Sequence, residues 1–198
     1  MVATIAQQPQ VASKNEQKNG QKKISWVQFQ EQYLSREDGF KYEWLNGIIE
    51  KTPRIMDYKQ LQIVENILAF FDALKAAKNI QGRMHEEVDT FFDTHHRRSD
   101  ICFISSEQLK NIKIEAPVPA FVVEIISTTD SVNRINRKVD DYFDADVKVL
   151  WHIFPESRKV HVYENNEHIL IRSGQDICSA EAAIEGFALS VDAIFENV

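Results

Sequence analysis

The sequence predicts an α/β fold in which helices alternate with the strands of a mixed β-sheet. Apolar residues recur at helical spacing from about Tyr58 to Lys78, which predicts a long helix with a wide buried face. The short run FVVEIIS, at 121–127, is apolar on both sides, as in a central strand covered on both faces. Strand-like segments on either side of Asn46–Gly47 and of Asn165–Asn166 indicate two hairpins.

The other elements follow from capping residues and from alternation along the chain. Ser25 is placed to cap a first helix that runs to about Leu34. After the central strand, Thr128 or Thr129 can cap a helix that ends near Ala145. The remaining segments predict strands, with a helical turn after the last one: WLNGIIEK, EEVDTFF, DICFIS, AFVVEIIS, VKVLWHIF, RKVHVYE, HILIRS and GFALS.

Length and composition indicate one globular domain. The chain has 198 residues, of which 43% are hydrophobic and 27% charged, enough to build a sizeable core over residues 24–198. Residues 1–23 are rich in Gln, Asn and Lys, and we expect them to be disordered. No apolar run is long enough to cross a membrane, and we see no signal peptide. Cys102 and Cys178 lie in apolar surroundings as expected for buried free thiols, so we expect a cytoplasmic protein.

The charge of the chain argues against a general polyanion binder. The formal net charge is −7, whereas contacts to phosphates dominate the affinity of proteins for nucleic acids. An enzyme with a metal ion and a local basic patch is not excluded. Two basic clusters, Arg97–Arg98 and Arg134–Arg137–Lys138, can steer a nucleic-acid strand or can simply be solvated surface.

Glu124 stands in the middle of the apolar strand and requires compensation. A buried carboxylate becomes neutral, finds a partner or binds a metal ion. Asp100 opens the segment DICFIS, which we expect beside the strand that carries Glu124. Two carboxylates at one point repel unless a divalent cation lies between them, and oxygen ligands select magnesium or manganese. In the alternative interpretation, Asp100 caps a strand end and Glu124 pairs with a basic side chain.

Lys138 is the expected cation near these acids. On a helical wheel it lies at the edge of the apolar arc, beside Ile135 and Tyr142. It therefore points toward the sheet margin where the strand of Glu124 ends. The alternative is a structural lysine whose aliphatic stem covers the core.

Five segments resemble a known family. They are YEWLNGIIEK (42–51), RRSDICFIS (97–105), PAFVVEIISTTDS (119–131), RKVDDYFDADVKVLWHIFPESRKVHVY (137–163) and EGFALSVDAIF (185–195). Their order resembles the PD-(D/E)XK nuclease superfamily, and more closely a bacterial family of proposed restriction endonucleases that was long a domain of unknown function. The resemblance implies a restriction-endonuclease-like mixed β-sheet flanked by helices.

The resemblance also implies roles for four residues. Asp100 and Glu124 match the two acids that hold the metal, Mg²⁺ or Mn²⁺. The lysine of the superfamily stands two residues after the second acid, where this chain has Ile126, and Lys138 matches the position to which the family has moved it. Glu43 matches an early glutamate that can reach the metal through water. The proline before the first acid is replaced by Ser99.

The implied function is metal-dependent hydrolysis of phosphodiester bonds, and we expect DNA as the substrate. A homodimer is plausible both for this function and for the alternative that follows, because cleavage of duplex DNA usually takes two sites. The alternative is a weak or inactive nuclease fold that binds nucleic acid or protein, which the net charge and the missing in-strand lysine favour. If the two acids repel each other in the metal-free protein, Glu124→Gln should stabilise it; if Glu124 has a basic partner, the same change should destabilise it.

Overall fold

The computed structural model describes residues 22–54, 57–92, 94–111 and 117–198. The tail predicted to be disordered, 1–23, lies outside the described residues except for its last two positions. Within the described ranges the helices are α1 (Trp26–Phe29), α2 (Tyr58–Lys78), α3 (Ser106–Asn111), α4 (Val132–Asp144) and α5 (Val191–Ile194). Helix α1 continues as a π-helical turn, Gln30–Leu34, and a 3₁₀ turn covers Pro155–Ser157.

The helix starts follow from local capping. Ser25 caps α1 as predicted, because its hydroxyl accepts a hydrogen bond from the backbone N–H of Gln28. Helix α2 covers the predicted range. Helix α4 starts later than predicted, because its cap is Ser131 and not Thr128 or Thr129. The residues before the cap form a turn in which Asp130 accepts from the backbone N–H of Ser127 at 2.9 Å.

The strands form one large sheet and two smaller ones. They are β1 (Phe40–Leu45), β2 (Ile48–Pro53), β3 (Gly82–Glu86), β4 (Asp89–Phe92), β5 (His95–Arg98), β6 (Ile101–Ser105), β7 (Phe121–Ile125), β8 (Val149–Phe154), β9 (Lys159–Tyr163), β10 (Ile169–Ser173), β11 (Ile177–Ser179) and β12 (Ala188–Ser190). The large sheet has the order β10-β9-β8-β7-β6-β3, with β7 and β8 parallel and the other neighbours antiparallel. The second sheet, β2-β1-β5-β4, is antiparallel, and β11 pairs with β12.

Two layers of helix cover the large sheet. One face packs against α2 through Ile63, Ile67 and Phe71, which join a cluster with Phe121 and Trp151. The opposite face packs against α4. Val139 and Tyr142 of this helix form a second cluster with Cys102, Val122 and Leu150 of the sheet. Strand β7 is buried at every position, so the prediction of a central strand is confirmed, and so is the mixed sheet flanked by helices.

Both predicted hairpins are present, as β1–β2 and β9–β10. Asn46 and Gly47 both have positive φ (46° and 95°), which the tight turn between β1 and β2 requires. Cys102 and Cys178 are buried free thiols, as predicted. None of the helices in the described part of the chain is both long and apolar enough to span a lipid bilayer.

The region between α2 and β6 differs from the prediction. The segment EEVDTFF is not one strand, because Glu87 adopts the left-handed conformation (φ 49°) and the chain passes from β3 in the large sheet to β4 in the second. Strand β5, with the sequence HHRR, was not predicted at all. With β4 and β5 in the second sheet, that sheet lies beside the start of β6 and the end of β7. The two acids lie at this edge.

Candidate active site

Asp100 and Glu124 come from neighbouring strands of the large sheet. Asp100 directly precedes β6, Glu124 lies in β7, and the antiparallel register pairs Ile101 with Val123. The two acids are therefore adjacent across the strand pair. The backbone N–H of Ile125 donates to Oδ2 of Asp100 at 2.7 Å, which fixes that carboxylate against β7. Both acids line one cleft of about 850 Å³.

Each acid has its own lysine. Nζ of Lys138 donates to Oε2 of Glu124 at 2.6 Å, and the hydroxyl of Tyr142 donates to Oε1 at 2.5 Å. Helix α4 thus carries Lys138 to the position predicted from the helical wheel. Nζ of Lys41 donates to Oδ1 of Asp100 at 2.8 Å. The acids are compensated by ammonium groups, as the alternative interpretation of the sequence proposed for Glu124.

Lys41 is a site residue that the sequence reasoning missed. It belongs to β1 of the second sheet and reaches across to an acid of the large sheet. One signal was present: Lys41 stands two residues before Glu43, so both point to the same face of the strand. That the two sheets meet at this face could not be read from the pattern.

Glu43 is a buried centre of ion pairs and is absent from the cleft lining. Its side chain is inaccessible to solvent, and Arg97 and Arg134 donate to Oε2 at 3.2 and 3.3 Å. The backbone N–H of Arg98 donates to Oε1 at 3.1 Å, and Nζ of Lys138 lies 3.7 Å from the same oxygen. Glu43 therefore lies beside Lys138 but outside the cleft lining.

The arginines of the two basic clusters form ion pairs with carboxylates. Arg97 is fully buried, donates to Asp141 of α4 through Nε at 2.9 Å and also pairs with Glu50. The prediction that Arg97 steers nucleic acid is therefore wrong, and so is the alternative of a solvated surface. Arg134 pairs with Glu43 and Glu50, and Arg137, whose side chain is 49% exposed, donates to Glu50 at 2.6 Å. Burial of Arg97 is possible because β1, β2 and α4 supply its carboxylate partners, Glu43, Glu50 and Asp141.

Neighbouring charges shift the pKa values of Asp100, Lys41 and Glu43. Burial alone would raise the pKa of Asp100, but the charges of Lys41 and Lys138 outweigh it and hold that pKa below its ordinary value. Burial alone would lower the pKa of Lys41, yet Asp100, Glu124 and Glu43 raise it above its ordinary value. The pKa of Glu43 lies well below its ordinary value, because the nearby cations outweigh burial. The raised pKa favours the charged form of Lys41.

His152 lies next to the site without belonging to the cleft lining. It stands opposite Glu124 in the parallel β7–β8 register and is fully buried. Neither of its ring nitrogens has a hydrogen-bond partner among the described residues. Burial, and then the charge of Lys138, lower its pKa to about 3, so the ring is neutral.

The comparisons with known proteins identify the family. Residues 26–192 match the family model Uma2, which carries the description "Putative restriction endonuclease". The chain belongs to the Uma2 family. It is also similar in structure to a protein of Anabaena variabilis, described as a putative nuclease belonging to DUF820, with a TM-score of 0.74 and 17% sequence identity. That match covers 87% of this chain and 97% of the other and shows a shared fold. No curated protein matches this sequence.

The acids of this Uma2 chain suit a hard divalent cation. No cluster of three or more His, Cys, Asp or Glu side chains able to hold a metal ion occurs in the described ranges. Asp100 and Glu124 nevertheless line one cleft, and each of their oxygens accepts a single hydrogen bond from the part of the chain that the structure describes, which leaves lone pairs for a metal ion. Magnesium keeps several waters and takes only one or two protein carboxylates, so this donor set fits it.

Proposed function

We propose that this Uma2 protein is a nuclease that hydrolyses phosphodiester bonds of DNA with Mg²⁺ or Mn²⁺ held by Asp100 and Glu124. The supporting observation is that the two acids lie on adjacent strands, line one cleft and each carry a lysine ammonium at hydrogen-bond distance. A bound divalent ion there would lower the pKa of a coordinated water and offset charge on the phosphate.

The residues of the chain supply orientation and charge. Lys138 holds Oε2 of Glu124 and lines the cleft, where its ammonium can orient the attacking water or stabilise charge on the phosphate. Tyr142 fixes the other oxygen of Glu124. Glu43 positions Lys138 from behind the cleft. We further propose a cytoplasmic homodimer, since two buried free thiols suit a reducing compartment and both strands of a duplex need a site.

A second candidate is a nuclease fold that binds nucleic acid or protein without cleaving it. The observation that favours it is the pairing of both acids with lysines, which compensates their charges without any metal ion. In that case the ion pairs of the site stabilise the fold, and the cleft binds nucleic acid or protein without cleaving it. The two candidates differ in whether the acids take up a metal ion.

Metal binding and cleavage can be measured on the same protein samples. Titration with Mn²⁺, followed by electron paramagnetic resonance, should show a bound ion in the parent and none in Asp100→Asn or Glu124→Gln. Nicking of a supercoiled plasmid in Mg²⁺ or Mn²⁺ should fall by more than about 100-fold in both variants. The matched control is Glu167→Gln, an exposed glutamate between β9 and β10, which should behave as the parent. A parent that binds DNA but no Mn²⁺ would support the binding module instead.

A further inference from the structure

The cleft is unfavourable for an anion unless some cation in it is free to bind. Its lining carries more acids than bases, since the acids are Asp57, Glu86, Glu87, Asp100, Glu124 and Asp130 and the cations are Lys41, Arg54, Arg134 and Lys138. A phosphodiester that enters this cleft carries a further negative charge. The question is therefore which of the cations has donors left for it.

Two of the four cations each contact more than one carboxylate, and a third lies at the exposed rim of the cleft. Arg134 contacts three carboxylates, those of Glu43, Glu50 and Asp130. Lys138 lies between two buried carboxylates, 2.6 Å from Glu124 and 3.7 Å from Glu43. Arg54 is bound by both oxygens of Glu87 and its side chain is 42% exposed, so solvent screens its charge at the rim.

Lys41 is buried like Lys138, but it pairs with one carboxylate whereas Lys138 lies between two. It is only 9% exposed and lines the cleft, yet its one hydrogen bond among the described residues goes to Oδ1 of Asp100. An ammonium has three donors, so two remain for a ligand in the cleft. A cation in such a water-poor position interacts more strongly with an arriving anion than an exposed one does.

We propose that Lys41 is a catalytic residue whose ammonium contacts a non-bridging oxygen of the scissile phosphate. This proposal rests on the nuclease function above. In the hydrolysis a water oxygen forms a bond to phosphorus, and the bond from phosphorus to the leaving deoxyribose oxygen breaks. The water gives up one proton to solvent, and the leaving oxygen takes one up. Lys41 stays protonated throughout and stabilises the charge that gathers on the non-bridging oxygens.

The proposal predicts a loss of turnover that is separate from metal binding. Lys41→Met removes the ammonium and keeps most of the aliphatic stem. We expect kcat on a single-site oligonucleotide to fall by about 100- to 1000-fold, the size seen when one transition-state donor is removed. Mn²⁺ binding should persist, since the variant keeps both acids and removes the ammonium that pairs with Asp100. Lys41→Gln keeps a neutral donor for Asp100 and should show the same loss if the methionine variant folds poorly. Lys148→Met, at an exposed lysine, is the control.

A modified substrate tests contact with the phosphate directly. A methylphosphonate at the scissile position removes the charged oxygen that Lys41 is proposed to contact. It should slow the parent strongly, and it should slow Lys41→Gln much less, because that variant has no ammonium to lose. Equal slowing of parent and variant, parent-like kcat in both Lys41 variants, or loss of Mn²⁺ binding in them would overturn the role of Lys41 while leaving the nuclease function intact. A parent that neither binds Mn²⁺ nor cleaves would remove both proposals.

Discussion

Neutralising Glu124 should destabilise the metal-free protein. The sequence allowed two opposite results, because bare acids would repel each other whereas a paired acid would leave its cation unpaired. The structure favours the second, since Glu124 is 3% exposed, Lys138 is 6% exposed and their charged atoms are 2.6 Å apart. Repulsion between Asp100 and Glu124 is offset by the lysine that each one holds.

The size of the effect follows from what each variant leaves behind. Removing one partner of a buried ion pair costs about 3–5 kcal/mol. Glu124→Gln should lie at the low end, because Lys138 keeps Glu43 at 3.7 Å. Lys138→Met should lie at the high end, because among the described residues Tyr142 is then the one remaining hydrogen-bond donor to Glu124. The double variant should be more stable than either single one, since no unpaired buried charge remains.

Urea unfolding in the presence of a chelator measures these free energies. Domains of this kind are stable by about 5–15 kcal/mol, so the single variants should still fold well enough for a complete transition. Lys148→Met should change the free energy of unfolding by no more than about 0.5 kcal/mol. A Glu124→Gln variant that is as stable as the parent, or more stable, would mean that the acids repel in the folded state and would contradict the stabilising pair with Lys138.

Two further predictions concern buried polar groups. Because burial lowers the pKa of His152 to about 3 from an ordinary 6.5, the unfolded state takes up its proton first as the pH falls, and stability should drop by about 2 kcal/mol between about pH 8 and pH 5. Urea unfolding of His152→Phe should lack that part of the pH dependence, and an unchanged dependence would contradict the assignment. Arg97→Met leaves Asp141 and Glu43 short of a buried partner and should lower the free energy of unfolding by about 3–5 kcal/mol. Arg137→Met, at a half-exposed arginine, should lower it by about 1 kcal/mol or less. Equal losses in the two urea titrations would refute the buried network.

The parts of the fold that could be predicted are those that carry their own periodic signal. Helix α2 repeats apolar residues at helical spacing, and β7 is an uninterrupted apolar run, so each could be assigned from its own residues. Strand β5 has no such signal, because HHRR is entirely polar. Its burial depends on carboxylates from other elements, with Asp89 beside His96 and Asp141 beside Arg97. A local sequence pattern does not predict partners that are distant in the sequence.

The candidate site divides in the same way. Adjacent strands and a helical wheel were enough to predict that Asp100, Glu124 and Lys138 lie together. Lys41 could not be predicted, since its role depends on how the second sheet docks against the first. The same docking buries Glu43, which the resemblance placed near the metal and the structure places behind Lys138.

The second sheet therefore contacts and positions groups of the site. It contributes Lys41 directly, and through Arg97 and Glu43 it holds Asp141 and Lys138, both on helix α4. Helix α4 in turn carries Tyr142, the second donor to Glu124. Loosening the contact between sheet and helix should consequently shift three of the groups that surround the two acids. Arg97 forms its ion pairs with Glu43, Glu50 and Asp141, all outside the cleft lining. Arg97→Met should nevertheless weaken the alignment of the acids as well as the fold.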